Sequence, residues 1–283
     1  MKIVITGAGG QLGKELVRIL KETDYTVFPY SKKQVDIANR SQIKEMMEKV
    51  RPDYLINTAA YTQVDLCETE LEKAYLINGI GTYYLAHEAR EKKAKFFHIS
   101  TDYVFNGEKH EPYTEEDVTD PRTVYGKSKQ LGEELALATY ENTTIIRTSW
   151  LYGHDGNNFV NTIKKLADYS QKIRVVHDQY GCPTFAKDVG IALKQLLTKP
   201  AGIYHVTNNG NCSWFELANE IISFLNKKVD IIPVSSKEYG LKTPRPMYSV
   251  LCSKKLNSSG IFLRNWKDGL CEYLKKEADN IDY

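Results

Sequence analysis

Short unbroken apolar runs alternate along the chain with stretches whose apolar residues recur at helical spacing. Lys2–Thr6 (KIVIT) reads as a buried strand and Gln11–Lys21 as the helix after it. Thr26–Phe28 is a short strand, Ser41–Val50 a helix stopped by Pro52, and Tyr54–Asn57 a strand. Glu70–Lys92 reads as one long helix, Lys95–Ser100 as a strand, Val124–Thr139 as a helix and Thr143–Arg147 as a strand. Apolar runs without alternation suit strands covered on both faces, so the pattern predicts an α/β fold built on a doubly wound parallel sheet.

The second half is less regular. Phe159–Tyr169, Phe185–Leu197 and Trp214–Leu225 read as helices, separated by turn signals such as Gly181-Cys182-Pro183 and Asn208-Asn209-Gly210. Thr243-Pro244-Arg245-Pro246 must be extended, because each proline restricts its neighbour. The expected division is a dinucleotide-binding domain over residues 1–150, with later segments interleaved, and a smaller, mainly substrate-binding lobe over residues 151–283.

A chain of 283 residues with 38 Lys+Arg against 36 Asp+Glu carries no net field to draw nucleic acid or an acidic membrane. No apolar run is long enough to span a bilayer, and no secretory signal precedes the first strand. Five scattered cysteines form no CxxC pair, and no two histidines have metal-ligand spacing. A reducing cytoplasm and no metal are therefore expected.

The first chemical signal follows the first strand. Gly7, Gly10 and Gly13 form GxxGxxG between a buried strand and a helix. Such a turn lets backbone approach a pyrophosphate, and the helix N-terminus offers N–H groups and a positive dipole end. A glycine turn alone is a weak signal; this strand–turn–helix setting makes a dinucleotide site the better reading. The second strand runs into Tyr30-Ser31-Lys32-Lys33, without the acid that would hold the ribose hydroxyls of NAD. Lys32 and Lys33 suit a 2′-phosphate, which favours NADPH over NADH; Asp36 follows closely enough to serve as a late ribose acid, and a solvated loop is the plain alternative.

The second signal is Tyr125-Gly126-Lys127-Ser128-Lys129, a YxxxK on a predicted helix. About two such matches are expected by chance at this composition, so its position after the fourth strand carries the weight. The i,i+4 spacing puts both side chains on one helix face. Reduction of a ketone by hydride leaves an alkoxide that needs a proton, and a phenol can supply one. A neighbouring ammonium stabilises the phenolate left behind. Ser100 and Thr101 end the fourth strand, at the sheet edge where ligands sit, and a hydroxyl there can bond the substrate oxygen; backbone capping is the plain alternative.

Together these motifs resemble the extended short-chain dehydrogenases that act on nucleotide sugars. The resemblance tightens at Ala59-Ala60-Tyr61-Thr62-x-Val64-Asp65, Ser100-Thr101-Asp102-Tyr103-Val104-Phe105 and Arg147-Thr148-Ser149-Trp150-Leu151-Tyr152-Gly153. With Asp178-Gln179-x-Gly181-x-Pro183-Thr184 and Thr243-Pro244-Arg245-Pro246, it points to the dTDP-4-dehydrorhamnose reductase family over essentially the whole chain. That family implies a Rossmann domain with a small C-terminal substrate lobe. It implies that Gln11 and Leu12 contact the pyrophosphate, that Asp36 and Ile37 contact the adenine, and that Ala59, Ala60 and Tyr61 line the cofactor. Tyr125 would be the proton donor, Lys129 its partner and a ribose ligand, and Thr101 a tuner of Tyr125. Thr101, Asp102 and Trp150 would contact the sugar, and Arg245 suits a diphosphate as well as a surface ion pair.

The implied reaction is NAD(P)H-dependent reduction of the 4-keto group of dTDP-4-dehydro-L-rhamnose, a step toward cell-surface polysaccharide. Some members dimerise through magnesium; no carboxylate cluster here suits that role, so a homodimer is left open. A dehydratase or epimerase is the rival, but Tyr103 stands where elimination needs a Glu. A non-catalytic dinucleotide-binding subunit is disfavoured because Tyr125 and Lys129 are both retained.

Overall fold

A computed structural model describes residues 1–279. The N-terminal half runs β1 (Lys2–Thr6), α1 (Gln11–Lys21), β2 (Thr26–Tyr30), α2 (Arg40–Val50) and β3 (Tyr54–Asn57). Two short helices follow, α3 (Val64–Cys67) and α4 (Leu71–Ala74), and a π-helical turn over Tyr75–Ile80 leads into α5 (Gly81–Lys92). Then come β4 (Lys95–Thr101), α6 (Val124–Thr139) and β5 (Thr143–Thr148).

The second half contains β6 (Leu151–Tyr152), α7 (Phe159–Leu166), β7 (Lys172–Val176), β8 (Tyr180–Gly181), β9 (Thr184–Phe185) and α8 (Ala186–Leu196). It continues through β10 (Gly202–His205), β11 (Cys212–Ser213), α9 (Trp214–Phe224), β12 (Asp230–Val234), α10 (Ser236–Tyr239), α11 (Lys254–Ser258) and α12 (Trp266–Asp279).

Six parallel strands form the central sheet in the order β10-β5-β4-β3-β1-β2. The chain moves outward from β1 to β2 and then crosses to β3, so the winding reverses between β1 and β3. In a doubly wound sheet the crevice beyond that reversal is where a ligand settles. The period of two in strand side chains explains the unbroken apolar runs. Ile3 and Ile5 join Leu16, Leu20, Val189 and Leu193 on one face, while Val4 joins Leu55, Phe96, Leu85 and Met47 on the other. Each such aliphatic side chain, fully buried, contributes about 1.5–3 kcal/mol. A separate core under the second half gathers Val160, Ile163, Ile173, Val175, Leu217, Ile221 and Tyr273.

β10 and α8 belong to the layers of the N-terminal sheet, β10 through its pairing with β5 and α8 through Val189 and Leu193. The later segments thus weave back into the sheet. No helix among the described residues is long and apolar enough to cross a membrane.

Three departures from the sequence pattern have physical causes. β2 continues through Pro29 to Tyr30, because it is the sheet's edge and the missing proline N–H has no ladder partner to lose. The predicted helix over Glu70–Lys92 is broken by the π-helical turn. There Asn78 turns inward to bond Tyr61, and Gly79 and Gly81 admit Leu131 and Ile37 at distances that leave no space for a side chain. β7 and β12 pair in parallel outside the main sheet and were not evident from the sequence pattern.

Candidate active site

β1 delivers the chain into the glycine turn at Gly7, whose φ of +73° lies in the left-handed region. A Cβ there would collide with the backbone of Thr58 and Ala59, just beyond β3; one on Gly13 would collide with the Gly7 carbonyl and Ala8. Gly10 caps α1 without a side chain. The first helical bond runs from Lys14 N–H to the Gly10 carbonyl at 2.9 Å, so the N–H groups of Gln11, Leu12 and Gly13 precede the ladder. Bare donors at a helix N-terminus, with no side chain in front of them, make a cradle suited to a pyrophosphate. The Gln11 side chain is engaged elsewhere, donating to the Leu151 carbonyl (3.2 Å) and accepting from Asn158 (3.0 Å).

At the other end of this crevice Lys32 and Lys33 are exposed, just past β2. The Asp36 carboxylate accepts from Ala38 N–H (3.0 Å), and Ile37 is buried against Gly81.

α6 brings the YxxxK pair to the crevice. The Thr123 hydroxyl caps it by accepting from Gly126 N–H at 3.0 Å. Gly126 rests directly on the Tyr103 carbonyl, which seats the helix start against the end of β4. The helix is tied to β5 by a buried bidentate pair, Arg147 to Glu133, closing to 2.7 Å. Asn78 ties it to the Tyr61 loop, donating to the Ser128 hydroxyl (2.9 Å) and to the Tyr61 carbonyl (3.0 Å).

Tyr125 and Lys129 line a cavity of about 450 Å³ together with Gly10–Gly13, Thr58, Ala60, Ser100–Tyr103, Thr148, Trp150 and Trp214. Burial pushes the Tyr125 phenol above its ordinary range, and a hydrogen bond with Thr101 works against that. Burial brings the Lys129 ammonium down to about 7, with Glu133 opposing. Lys129 Nζ donates to the Ile99 carbonyl at 2.6 Å and lies 3.0 Å from His98 Nε2. Asp102 accepts from the Thr101 hydroxyl at 3.0 Å, and burial raises its carboxyl to about 6. The hydroxyl oxygens of Ser100 and Thr148 are buried without a protein partner, as expected of groups awaiting a ligand.

The structure gathers Gly10, Gly13, Gln11, Leu12, Ala60, Thr101, Asp102, Tyr125, Lys129 and Trp150 around this cavity. Gly7, Asp36, Ile37, Ala59, Tyr61 and Arg245 lie outside its lining. Ala59 packs its backbone on Gly7, and the Tyr61 hydroxyl donates to Glu70 at 2.9 Å. Arg245 pairs with Asp65 at 2.9 Å and lines a neighbouring cavity of about 260 Å³, which shares Tyr103 and Trp214 with the first and also holds Arg174.

Trp150 departs most from the sequence picture. It has a left-handed φ of 45° and stacks on Trp214 with ring centroids 3.4 Å apart and planes 4° from parallel. Gly181 lies against the indole so closely that any side chain there would displace it. Trp214, which sequence alone gave no reason to treat as more than packing, is therefore part of the cavity wall. His98 and Asn78 were equally hidden, since each acts through a partner distant in sequence. Among the described residues, no group of three or more His, Cys, Asp and Glu side chains gathers as a metal site would need.

Comparison with known proteins places these motifs in context. The sequence profile of the RmlD substrate binding domain family matches residues 1–278. The chain is 50% identical over 281 residues to the spore coat polysaccharide biosynthesis protein SpsK of Bacillus subtilis (strain 168), covering 99% of each. It is 37% identical over 284 residues to dTDP-4-dehydrorhamnose reductase of Aggregatibacter actinomycetemcomitans, covering 95% of this chain and 97% of that one. Its fold superposes, with a TM-score of 0.95 and 42% identity, on dTDP-4-dehydrorhamnose reductase from Bacillus anthracis str. Ames in complex with NADP, covering 97% and 99% of the two chains.

Proposed function

The chain belongs to the RmlD substrate binding domain family, and from that membership we propose that it is an NADPH-dependent reductase of the 4-keto group of dTDP-4-dehydro-L-rhamnose, yielding dTDP-L-rhamnose. The observation that carries the reading is the single cavity joining the bare N-terminus of α1 to Tyr125, Lys129 and Thr101.

NADPH, when bound, supplies the hydride. The N–H groups of Gln11, Leu12 and Gly13 would hold its pyrophosphate, Lys32 and Lys33 its 2′-phosphate, and Asp36 and Ile37 its adenine. Tyr125 gives its phenolic proton to the sugar oxygen that hydride addition leaves negative. Burial keeps that phenol protonated until the negative charge develops beside it. The Thr101 hydroxyl, turning its proton from Asp102, and Lys129 then steady the phenolate. Ser100, Asp102 and Trp150 orient the sugar.

The nucleotide lies toward the second cavity, where Arg245 takes up the diphosphate. Its present partner Asp65 is largely exposed, so exchanging one anion for another costs at most about 1 kcal/mol. In this reading residues 1–150 mainly serve the cofactor and the later segments mainly the sugar nucleotide. The five cysteines are all free thiols, which suits a reducing cytoplasm.

Elimination chemistry is disfavoured at Tyr103, whose buried phenol is pushed above its ordinary range and is a poor substitute for a carboxylic acid. Loss of turnover in Tyr125→Phe with cofactor binding retained tests the assignment. Retention of activity within a few-fold would remove Tyr125 from the chemistry.

A further inference from the structure

Behind Lys129 a buried hydrogen-bond chain runs across three strands, and its polarity can be read from one backbone donor. Ala59 N–H donates to Asn57 Oδ1 at 3.0 Å, and the Thr6 hydroxyl donates to the same oxygen at 2.8 Å. A backbone N–H can only donate, so that end of the Asn57 amide must be its oxygen. The NH2 end therefore faces His98 Nδ1, 3.0 Å away, and donates to it. Nδ1 must then be unprotonated, and a neutral imidazole carries its proton on Nε2. That N–H points at Lys129 Nζ, 3.0 Å away.

An ammonium has donors only, so a charged Lys129 would set donor against donor in a site with no exposure at His98 and 1% at Lys129. A neutral amine resolves the conflict: it accepts from Nε2–H and donates to the Ile99 carbonyl. Flipping the Asn57 amide only moves the clash to Ala59 N–H.

We propose that Asn57 and His98 hold Lys129 as a neutral amine in the ligand-free protein, and that His98 is a positioning residue that sets when Lys129 becomes charged. The groups facing Nζ agree with this. His98, on β4, is held well below its ordinary range chiefly by burial, so it stays a neutral imidazole. Glu133, on the same helix, is bonded to Arg147 of β5, and Tyr125 is a buried phenol. Burial brings Lys129 itself down to about 7.

If Lys129 is to steady a Tyr125 phenolate as an ammonium, it must first gain a proton and leave its contact with Nε2–H. Only that consequence rests on the reductase reading. The protonation state belongs to the free protein and is measured without turnover.

The test is NMR on the full chain, ligand-free, labelled in lysine and histidine. The lysine resonance lost in Lys129→Met is followed from pH 5.5 to 10. A midpoint near 7, more than three pH units below the ordinary 10.5, is expected; a midpoint at or above 9 overturns the proposal. The His98 ring should show an unprotonated Nδ1 and a protonated Nε2, and the reverse tautomer overturns it without any variant. Asn57→Asp keeps an acceptor for Ala59 and Thr6 but accepts from Nδ1–H, so Nε2 becomes an acceptor for Lys129. The Lys129 midpoint should then rise by two pH units or more, and an unmoved midpoint would show that the chain does not control it.

Discussion

Replacing Asp102 by Asn should make the protein more stable at neutral pH while weakening its use of the sugar. Asp102 is 2% exposed, and burial raises its carboxyl from 3.8 to about 6. Its hydrogen bond from the Thr101 hydroxyl at 3.0 Å can be kept by an amide oxygen, and the Ser249 hydroxyl, which also bonds it, can turn to accept from the amide nitrogen. A carboxyl whose folded pKa lies above its unfolded value binds more protons when folded. Stability is therefore lost as pH rises through the window from 3.8 to 6 and stays lost above it. Two pH units correspond to about 3 kcal/mol, which Asn, having no charge to bury, escapes. In a chain of this size that is a rise in Tm of about 5 °C.

Urea unfolding of both proteins at pH 4 and pH 7 measures it. The gap should be near zero at pH 4 and about 3 kcal/mol in favour of the variant at pH 7. A variant no more stable at pH 7, or a gap of the same size at both pH values, would refute the reasoning. The penalty is one a binding site can carry, because an acid held ready for a ligand is not bonded for its own stability.

Tyr125→Phe should lower turnover by two to four orders of magnitude, the range for one general acid, with the dissociation constant for NADPH changed little by titration calorimetry. Lys32→Ala with Lys33→Ala should weaken NADPH binding more than NADH binding; equal losses would make these lysines a solvated loop. Trp150→Ala should raise KM for the keto sugar more than for the cofactor. Its stacking on Trp214 also predicts a stability loss of about 3–5 kcal/mol, and a lower Tm with an unaltered sugar KM would leave Trp150 a purely structural residue.

Much of the fold was legible in the sequence because its strands are buried on both faces. KIVIT and TTIIR can hardly be read otherwise, and the glycine turn announces itself by sitting between β1 and α1. The YxxxK pair was legible because helical spacing alone puts both residues on one face. What stayed hidden depends on partners far apart in the chain. Nothing local tells that Trp214 stacks on Trp150, that Asn57 sets the proton position on His98, or that Arg245 rests on Asp65, 180 residues away. The π-helical turn was hidden for the same reason: Asn78 and Gly79 look helix-compatible until Tyr61 and Leu131 are packed against them. The β7–β12 pair is exposed along most of β12 and at Lys172 and Arg174 of β7, so neither strand leaves the unbroken buried apolar run that marks the main sheet.

The central claim is reduction rather than elimination, and one assay separates them. The purified protein is given NADPH with dTDP-4-dehydro-L-rhamnose, and separately dTDP-glucose. Nicotinamide absorbance is followed while the sugar nucleotides are resolved by chromatography. The account predicts one NADPH oxidised for each dTDP-L-rhamnose formed, and no 4-keto-6-deoxy product from dTDP-glucose. Conversion of dTDP-glucose without net consumption of cofactor would contradict it.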